Sequence, residues 1–160
     1  MTQSTELAPV VVGTDGSDVS GLALRFALHE AQLRGTGLRA VCAYDFTASR
    51  TSSLGWLTVP DSHDLDTQMR DATYEAVAQA VAEAGQELGG AAVEVEIKVE
   101  PGRPSQVLLD ASADACLLVV GSRGSGAWGR LTLGSTSTEV VHHAHLPVVV
   151  VPSMTEAEPS

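Results

Sequence analysis

The chain has 160 residues, of which 44% are hydrophobic and only 4% are aromatic. This length and composition predict one domain with a core of Val, Leu and Ala. Its 20 acidic and 9 basic residues give a net charge of -11, which argues against a surface for nucleic acid or an anionic membrane.

Neither a targeting signal nor a membrane span is expected. The opening MTQSTELAP lacks the basic start and the apolar stretch of a secretion signal, and the apolar runs have only the length of strands. Cys42 and Cys116 lack metal-ligand or redox spacing, so buried, reduced thiols are their ordinary state. We therefore expect a cytoplasmic protein.

The first third of the chain predicts a strand, a helix and a second strand. Pro9 to Gly13 and Leu38 to Tyr44 are apolar runs typical of buried strands. Between them, Ser17 or Asp18 can cap a helix that runs to about position 34 and stops at Gly35. The expected apolar stripe of this helix consists of Leu22, Ala23, Phe26, Ala27 and Leu33.

A long second helix is expected from about Asp64 to Leu88. It follows a polar, irregular segment, 45–61, and two glycines at positions 89 and 90 close it. Its expected apolar side consists of Leu65, Met69, Ala72, Ala76, Ala80 and Ala84.

The second half predicts three more strands. Residues 93–100 alternate Val or Ile with charged residues, which indicates a strand near the edge of a sheet with one face in water. Pro104 suits the first turn of a short helix through Ala111. Residues 116–120 and 148–151 are apolar strands, and a helix begins between them near Ser135.

Strands that alternate with helices predict an α/β fold, a parallel sheet with helices on both faces. In such sheets ligands bind outside the carboxyl ends of the strands, where the winding direction reverses. The first and fourth strands are the natural pair at this point. GTDGS follows the first strand and GS follows the fourth, so both strands end in glycine and hydroxyl side chains.

Residues 121–137, GSRGSGAWGRLTLGSTS, form a glycine- and hydroxyl-rich stretch between the fourth strand and a helix start. Glycine lets the backbone approach an anion, and a helix N-terminus adds N–H groups and partial positive charge. No Asp or Glu occurs between positions 115 and 138. The stretch therefore predicts a phosphate site with the spacing G-x2-G-x9-G-S, formed by Gly121, Gly124, Gly134 and Ser135.

Four separated segments of this chain resemble the universal stress protein family. They are VVVGTDGSDVS, VVGSRGSG, the G-x2-G-x9-G-S loop and HHAHLPVVVVP. The resemblance implies one nucleotide-binding domain over residues 1–152 with a flexible tail, 153–160. It also implies a five-stranded parallel sheet of order 3-2-1-4-5 and the ATP-binding branch of the family.

The resemblance assigns a base and ribose side to the site. Asp15 resembles the family's adenine or ribose contact, with Gly13 and Thr14 beside it, and Ala43 lies where the family's backbone contacts the base. A carboxylate can accept hydrogen bonds from a ribose hydroxyl or an adenine amine. The alternative for Asp15 is a turn formed with Gly16.

The resemblance assigns a phosphate side as well, and the residues of the chain suggest no catalytic and no metal-binding side chain. Its ribose and phosphate contacts are Gly121, Arg123 and Gly124, and its phosphate cradle is Gly134, Ser135 and Thr136. The alternative for Ser135 is a helix cap and no more, and the alternative for Arg123 is a solvated loop cation.

The sequence is compatible with three functions. The first is a regulatory stress protein that binds ATP with Mg2+ and hydrolyses it slowly or not at all, because the only lysine, Lys98, does not follow a phosphate-loop glycine. The second is a cyclic AMP-binding member of the same family. The third is an NAD-dependent oxidoreductase, because residues 124–129 read G-x-G-x-x-G. Against it, the only acid downstream before the tail is Glu139, inside a predicted helix.

The C-terminal part carries two further hypotheses. His142, His143 and His145 invite a metal site, but adjacent helical side chains diverge by about 100°, so no metal site is expected. The apolar strand LPVVVV lies at a sheet edge in the proposed order, where a bare strand invites pairing. A symmetric homodimer through this strand is therefore expected.

Overall fold

A five-stranded parallel sheet organises the chain. The computed structural model describes residues 7–16, 18–44, 62–122 and 133–153. The elements in chain order are β1 (Val10–Gly13), α1 (Asp18–Arg34), β2 (Leu38–Tyr44), α2 (Ser62–Leu88), β3 (Val95–Pro101), α3 (Pro104–Ala111), β4 (Leu117–Gly121), α4 (Ser135–His143) and β5 (Val148–Val151). The strand order β3-β2-β1-β4-β5 confirms the predicted α/β sheet. The irregular segment 45–61 lies outside the described residues.

The central strand β1 is buried from both sides. Val10, Val11 and Val12 are completely buried. Val10 and Val12 pack in the core beneath α1 and α2, and Val11 packs in the second core beneath α3 and α4. Burying one such side chain stabilises the fold by about 1.5–3 kcal/mol. This two-sided burial explains why the strand sequence is continuously apolar.

The strand β3 lies at one edge of the sheet, as its alternating sequence predicts. It pairs in parallel with β2 from Leu38↔Val95 to Tyr44↔Pro101. Val99 is buried beneath α2, whereas Glu96 is exposed.

No helix within the described ranges is long and apolar enough to cross a membrane.

The buried faces of the two long helices differ in part from those predicted. In α1 the expected stripe residue Leu33 is 68% exposed, and the fully buried residues are Ala23, Leu24, Ala27, Leu28 and Ala31. In α2 the expected Ala72 and Ala76 are exposed. The predicted Met69, Ala80 and Ala84 do belong to the core, and Val77, Val81 and Leu88 join them. Alanine favours helices on any face, so its periodicity alone marks the core face poorly.

Arg39 joins three elements at the amino end of the sheet. Its guanidinium donates to Glu96 of β3 at 2.8 Å, to Asp114 at 2.7 Å and to the carbonyl of Ala111, the last residue of α3, at 2.8 Å. The Arg39 hydrogen bond lowers the pKa of Asp114. This cluster lies at the end of the strands opposite the predicted site.

Replacing Arg39 with Ala is expected to lower the free energy of unfolding by about 1–2 kcal/mol at pH 7. The pKa of Asp114 is lowered in the folded state, so its ion pair adds to the free energy of unfolding above the ordinary pKa of 3.8, and this addition is lost as the pH falls below that value. The difference in free energy of unfolding between the wild type and Arg39→Ala should therefore become smaller in acid. Urea unfolding at several pH values measures this. The control is Arg25→Ala, which breaks an exposed pair with Glu87 and should cost at most about 1 kcal/mol; equal costs for both variants would contradict the assignment.

Candidate functional site

The central strand ends before its neighbours at the carboxyl edge of the sheet, and we call the space above its end the cleft. The pairing of β1 with β2 stops at Gly13↔Val41, whereas β2 stays paired with β3 as far as Tyr44↔Pro101. On the other side, β4 continues to Gly121, which pairs with Val151. At about 3.3 Å per residue, β2 extends about 10 Å beyond β1. This is the edge at which doubly wound sheets bind ligands.

The turn after β1 forms the floor of this cleft. Thr14 is buried, its N–H donates to the carbonyl of Val41 at 2.9 Å, and its hydroxyl hydrogen-bonds the Ser20 hydroxyl at 2.9 Å. The same hydroxyl oxygen accepts the N–H of Gly16 at 3.1 Å. Gly16 has a φ of +77°, which glycine adopts most easily. Thr14 therefore shapes the turn, while Asp15 is exposed at its tip.

Asp15 follows Thr14, whose N–H donates to Val41 of β2, the residue before Cys42. Burial, together with the charge of Asp15, raises the pKa of the Cys42 thiol to about 11. Cys42 is therefore a protonated core thiol at neutral pH rather than a nucleophile. The next residue, Ala43, is half-buried. The structure thus brings Asp15 near the segment of β2 in which the predicted base contact lies.

Gly13 has a packing role that the sequence did not reveal. A Cβ atom added at this position would lie 2.9 Å and 3.1 Å from the two Cδ atoms of Leu108. Leu108 is a buried residue of α3. The missing side chain of Gly13 therefore lets α3 approach the end of β1.

Hydrogen bonds join the two ends of the predicted phosphate loop. The N–H of Gly134 donates to the carbonyl of Ser122 at 2.8 Å. The buried Ser137 hydroxyl donates to the carbonyl of Gly121 at 2.7 Å. The start of α4 is therefore fixed beside the end of β4. Of the predicted loop contacts, Arg123 and Gly124 lie outside the described residues.

The first turn of α4 presents groups that bind anions. Gly134 is its N-cap, with extended backbone, and a glycine brings no side-chain oxygen to accept the first N–H groups. Ser135 is exposed and Thr136 is half-buried. The turn contains no acidic residue, and the N–H groups and dipole of a helix start favour an anion.

Sequence reasoning missed the two serines that support this turn, Ser122 and Ser137. Ser122 accepts from Gly134 and also donates its own N–H to Val151 of β5 at 2.8 Å. The sequence signal was present for Ser137, because it is the third hydroxyl of the STS run. Ser137 is the third residue of α4, and its hydroxyl donates back to the end of β4 rather than into the cleft.

A second depression lies between α3 and α4, apart from the cleft. It is an open groove of about 900 Å³, and its lining includes none of the predicted site residues that the structure describes. Its lining includes Arg103, the histidines His143 and His145, and the acids Asp110 and Glu139. Among the described residues, no three His, Cys, Asp or Glu side chains are grouped to hold a metal ion.

Comparison with known proteins gives one consistent family. The universal stress protein family model matches residues 7–152. A universal stress protein of Mycolicibacterium smegmatis is 36% identical over 154 residues, which are 94% of this chain and 50% of the relative. The chain spans about half the length of the curated relatives it matches.

Solved structures share the fold. A universal stress protein in complex with cAMP is 24% identical, with a TM-score of 0.60 over 91% of this chain and 98% of that one. The universal stress protein from Archaeoglobus fulgidus in complex with dAMP is 22% identical, with a TM-score of 0.59 over 92% and 99% of the two chains. With the family model matching nearly the whole chain, this protein belongs to the universal stress protein family.

Proposed function

We propose that the protein binds an adenine nucleotide in the cleft above β1 and acts as a nucleotide-dependent regulatory protein in a stress response. The observation that carries this proposal is the glycine-capped start of α4, fixed beside the end of β4 at the carboxyl edge of the sheet. A helix start of this kind binds phosphate.

The other side of the cleft suits the base and ribose. Asp15 supplies a carboxylate that can accept from a ribose hydroxyl or an adenine amine. The last three residues of β2 extend beyond β1, so their backbone can meet the base. Two solved family members were determined with cAMP and with dAMP, which are both adenine nucleotides.

We propose ATP as the ligand, because the G-x2-G-x9-G-S loop resembles that of the ATP-binding branch. Its phosphates would lie at Gly134, Ser135 and Thr136. Mg2+ prefers phosphate and water oxygens, and the Ser135 and Thr136 hydroxyls fit that preference. The described residues group no metal ligands of their own, so the ion would arrive with the nucleotide. Hydrolysis would be slow or absent, since Lys98 lies on the edge strand β3.

A cyclic AMP preference is the second candidate, because one of the solved family members holds cAMP. Mass spectrometry of the ligand that survives gentle purification, followed by competition calorimetry with both nucleotides, tests the choice. ATP that binds more tightly in the presence of Mg2+ supports the first proposal. Tighter cyclic AMP binding that is insensitive to Mg2+ would favour the second.

The dinucleotide alternative is not favoured. The acid that it would need, Glu139, lies on α4, and its carboxylate accepts hydrogen bonds from Ser105 and Arg103. It is therefore not at the end of a second strand, where such an acid meets a ribose. NADH binding that ATP does not displace would reverse this conclusion.

The cytoplasmic location stays a prediction.

We propose a homodimer through the edge strand β5. All four valines of β5 are only half-buried, and Val141 of the neighbouring α4 is 47% exposed. An apolar edge of this kind favours pairing with a second copy. Sedimentation at micromolar concentration should show a species of twice 16.6 kDa. Finding only the monomer mass would exclude the dimer.

A further inference from the structure

A hydrogen-bonded bridge joins α3 to α4 outside the proposed contacts. One carboxylate oxygen of Glu139 accepts from the buried Ser105 hydroxyl at 2.5 Å, and the other accepts from the Arg103 guanidinium. We call these two contacts the Glu139 bridge. Arg103 is the N-cap of α3 and Ser105 lies in its first turn. Glu139 lies one helical turn after Ser135, so the bridge holds α4 one turn from its start.

The α3 end of the bridge is tied to the base side of the cleft. The N–H of Gly102 donates to the carbonyl of Tyr44, the last residue of β2, at 3.0 Å. The buried Tyr44 hydroxyl in turn donates to Asp66 of α2 at 2.9 Å. The end of β2 and the start of α3 are therefore one connected unit.

The α4 end of the bridge is tied to the phosphate side. Ser137 fixes α4 to the end of β4, and Glu139 fixes the next part of the helix to α3. The bridge is thus a direct side-chain link between the unit that holds the base edge and the helix that would bind phosphate. It also pairs the negative charge of Glu139 with Arg103, close to where phosphates would bind. These hydrogen bonds, that from Ser105 first, lower the pKa of Glu139 and keep it charged.

We propose that Glu139, held by Ser105 and Arg103, is a positioning residue that sets the spacing between the base-binding and phosphate-binding parts of the nucleotide site. This inference rests on the proposed function. A ligand that spans both parts depends on the spacing, whereas a ligand that occupies only the base side does not. The bridge therefore favours ATP over adenosine without touching either.

The test compares ATP and adenosine affinities by calorimetry. Glu139→Ala should weaken ATP binding about tenfold and adenosine binding by less than about twofold. Glu139→Gln keeps an oxygen for Ser105, so it should recover part of the ATP affinity. The matched control is Glu87→Ala, which removes the carboxylate that links α2 to Arg25 of α1, away from the cleft. Both affinities should stay unchanged in this control.

Several results overturn the inference. If the ratio of ATP affinity to adenosine affinity in Glu139→Ala equals that of the wild type, Glu139 is at most a structural residue. This holds whether both affinities fall equally or neither falls. Where thermal melting shows that Glu139→Ala does not fold, Ser105→Ala supplies the same comparison. A wild-type protein that binds no adenylate is a different failure, because it removes the proposed function and this inference with it.

Discussion

Replacing Gly13 with Ala is expected to lower the free energy of unfolding by about 1–3 kcal/mol. The new Cβ would meet one Leu108 methyl group at 2.9 Å, closer than real Cβ atoms come, and the other at 3.1 Å, which is tight. Leu108 is buried between α3 and the sheet, so it has little room to move. Urea unfolding followed by circular dichroism measures the loss.

Two further variants make this prediction specific. Leu108→Ala alone should lower the free energy of unfolding by about 2–5 kcal/mol. In the double variant with Gly13→Ala, the loss should be smaller than the sum of the two single losses by about 1 kcal/mol or more. Gly85→Ala is the matched control, because Gly85 lies inside α2 with nothing within 4 Å of an added Cβ. It should stabilise the protein by about 0.5–1 kcal/mol. Additive costs for Gly13 and Leu108 would contradict the packing role.

Replacing Ser135 with Asp is expected to change stability and nucleotide binding in opposite directions. A carboxylate in the first turn of α4 interacts well with the helix dipole and should stabilise the protein by about 0.3–1 kcal/mol. The same carboxylate competes for the N–H groups and repels the phosphates. ATP affinity should therefore fall by about tenfold or more, which is at least about 1.4 kcal/mol. Thermal melting and calorimetry on one preparation measure both effects.

The controls separate local from general charge effects. Gln86→Glu adds the same charge on the exposed surface of α2 and should leave ATP affinity almost unchanged, because salt screens distant exposed charges. Adenosine has no phosphate and should bind Ser135→Asp nearly as well as the wild type. If Ser135→Asp keeps the full ATP affinity, the phosphates do not bind at the start of α4.

The order of elements could be predicted because local sequence determines it. Val148–Val151 is a short apolar run, Pro104 begins α3, and Gly35, with a φ of +64°, follows the end of α1. All the predicted boundaries agree with the structure to within two residues. The core faces of α1 and α2 were less predictable, since alanine occurs on both faces and only the packing against the sheet decides between them.

The candidate site was predictable only in part. The glycine and hydroxyl spacing predicts a loop that starts at a strand end and finishes at a helix start, and in the structure hydrogen bonds from Gly134 to Ser122 and from Ser137 to Gly121 join these two ends. The Glu139 bridge and the Gly13 contact with Leu108 were not predictable. They join residues far apart in sequence, and only the packing of α3 against β1 and α4 brings them into contact.

We propose that the start of α4 and the turn after β1 form one adenine nucleotide site. Calorimetric titration of ATP into the purified wild-type protein, with Mg2+ present, is the decisive experiment. We predict saturable binding of one nucleotide per chain, with adenosine binding more weakly than ATP. An absence of binding heat with ATP, ADP, AMP and cyclic AMP alike would contradict the claim.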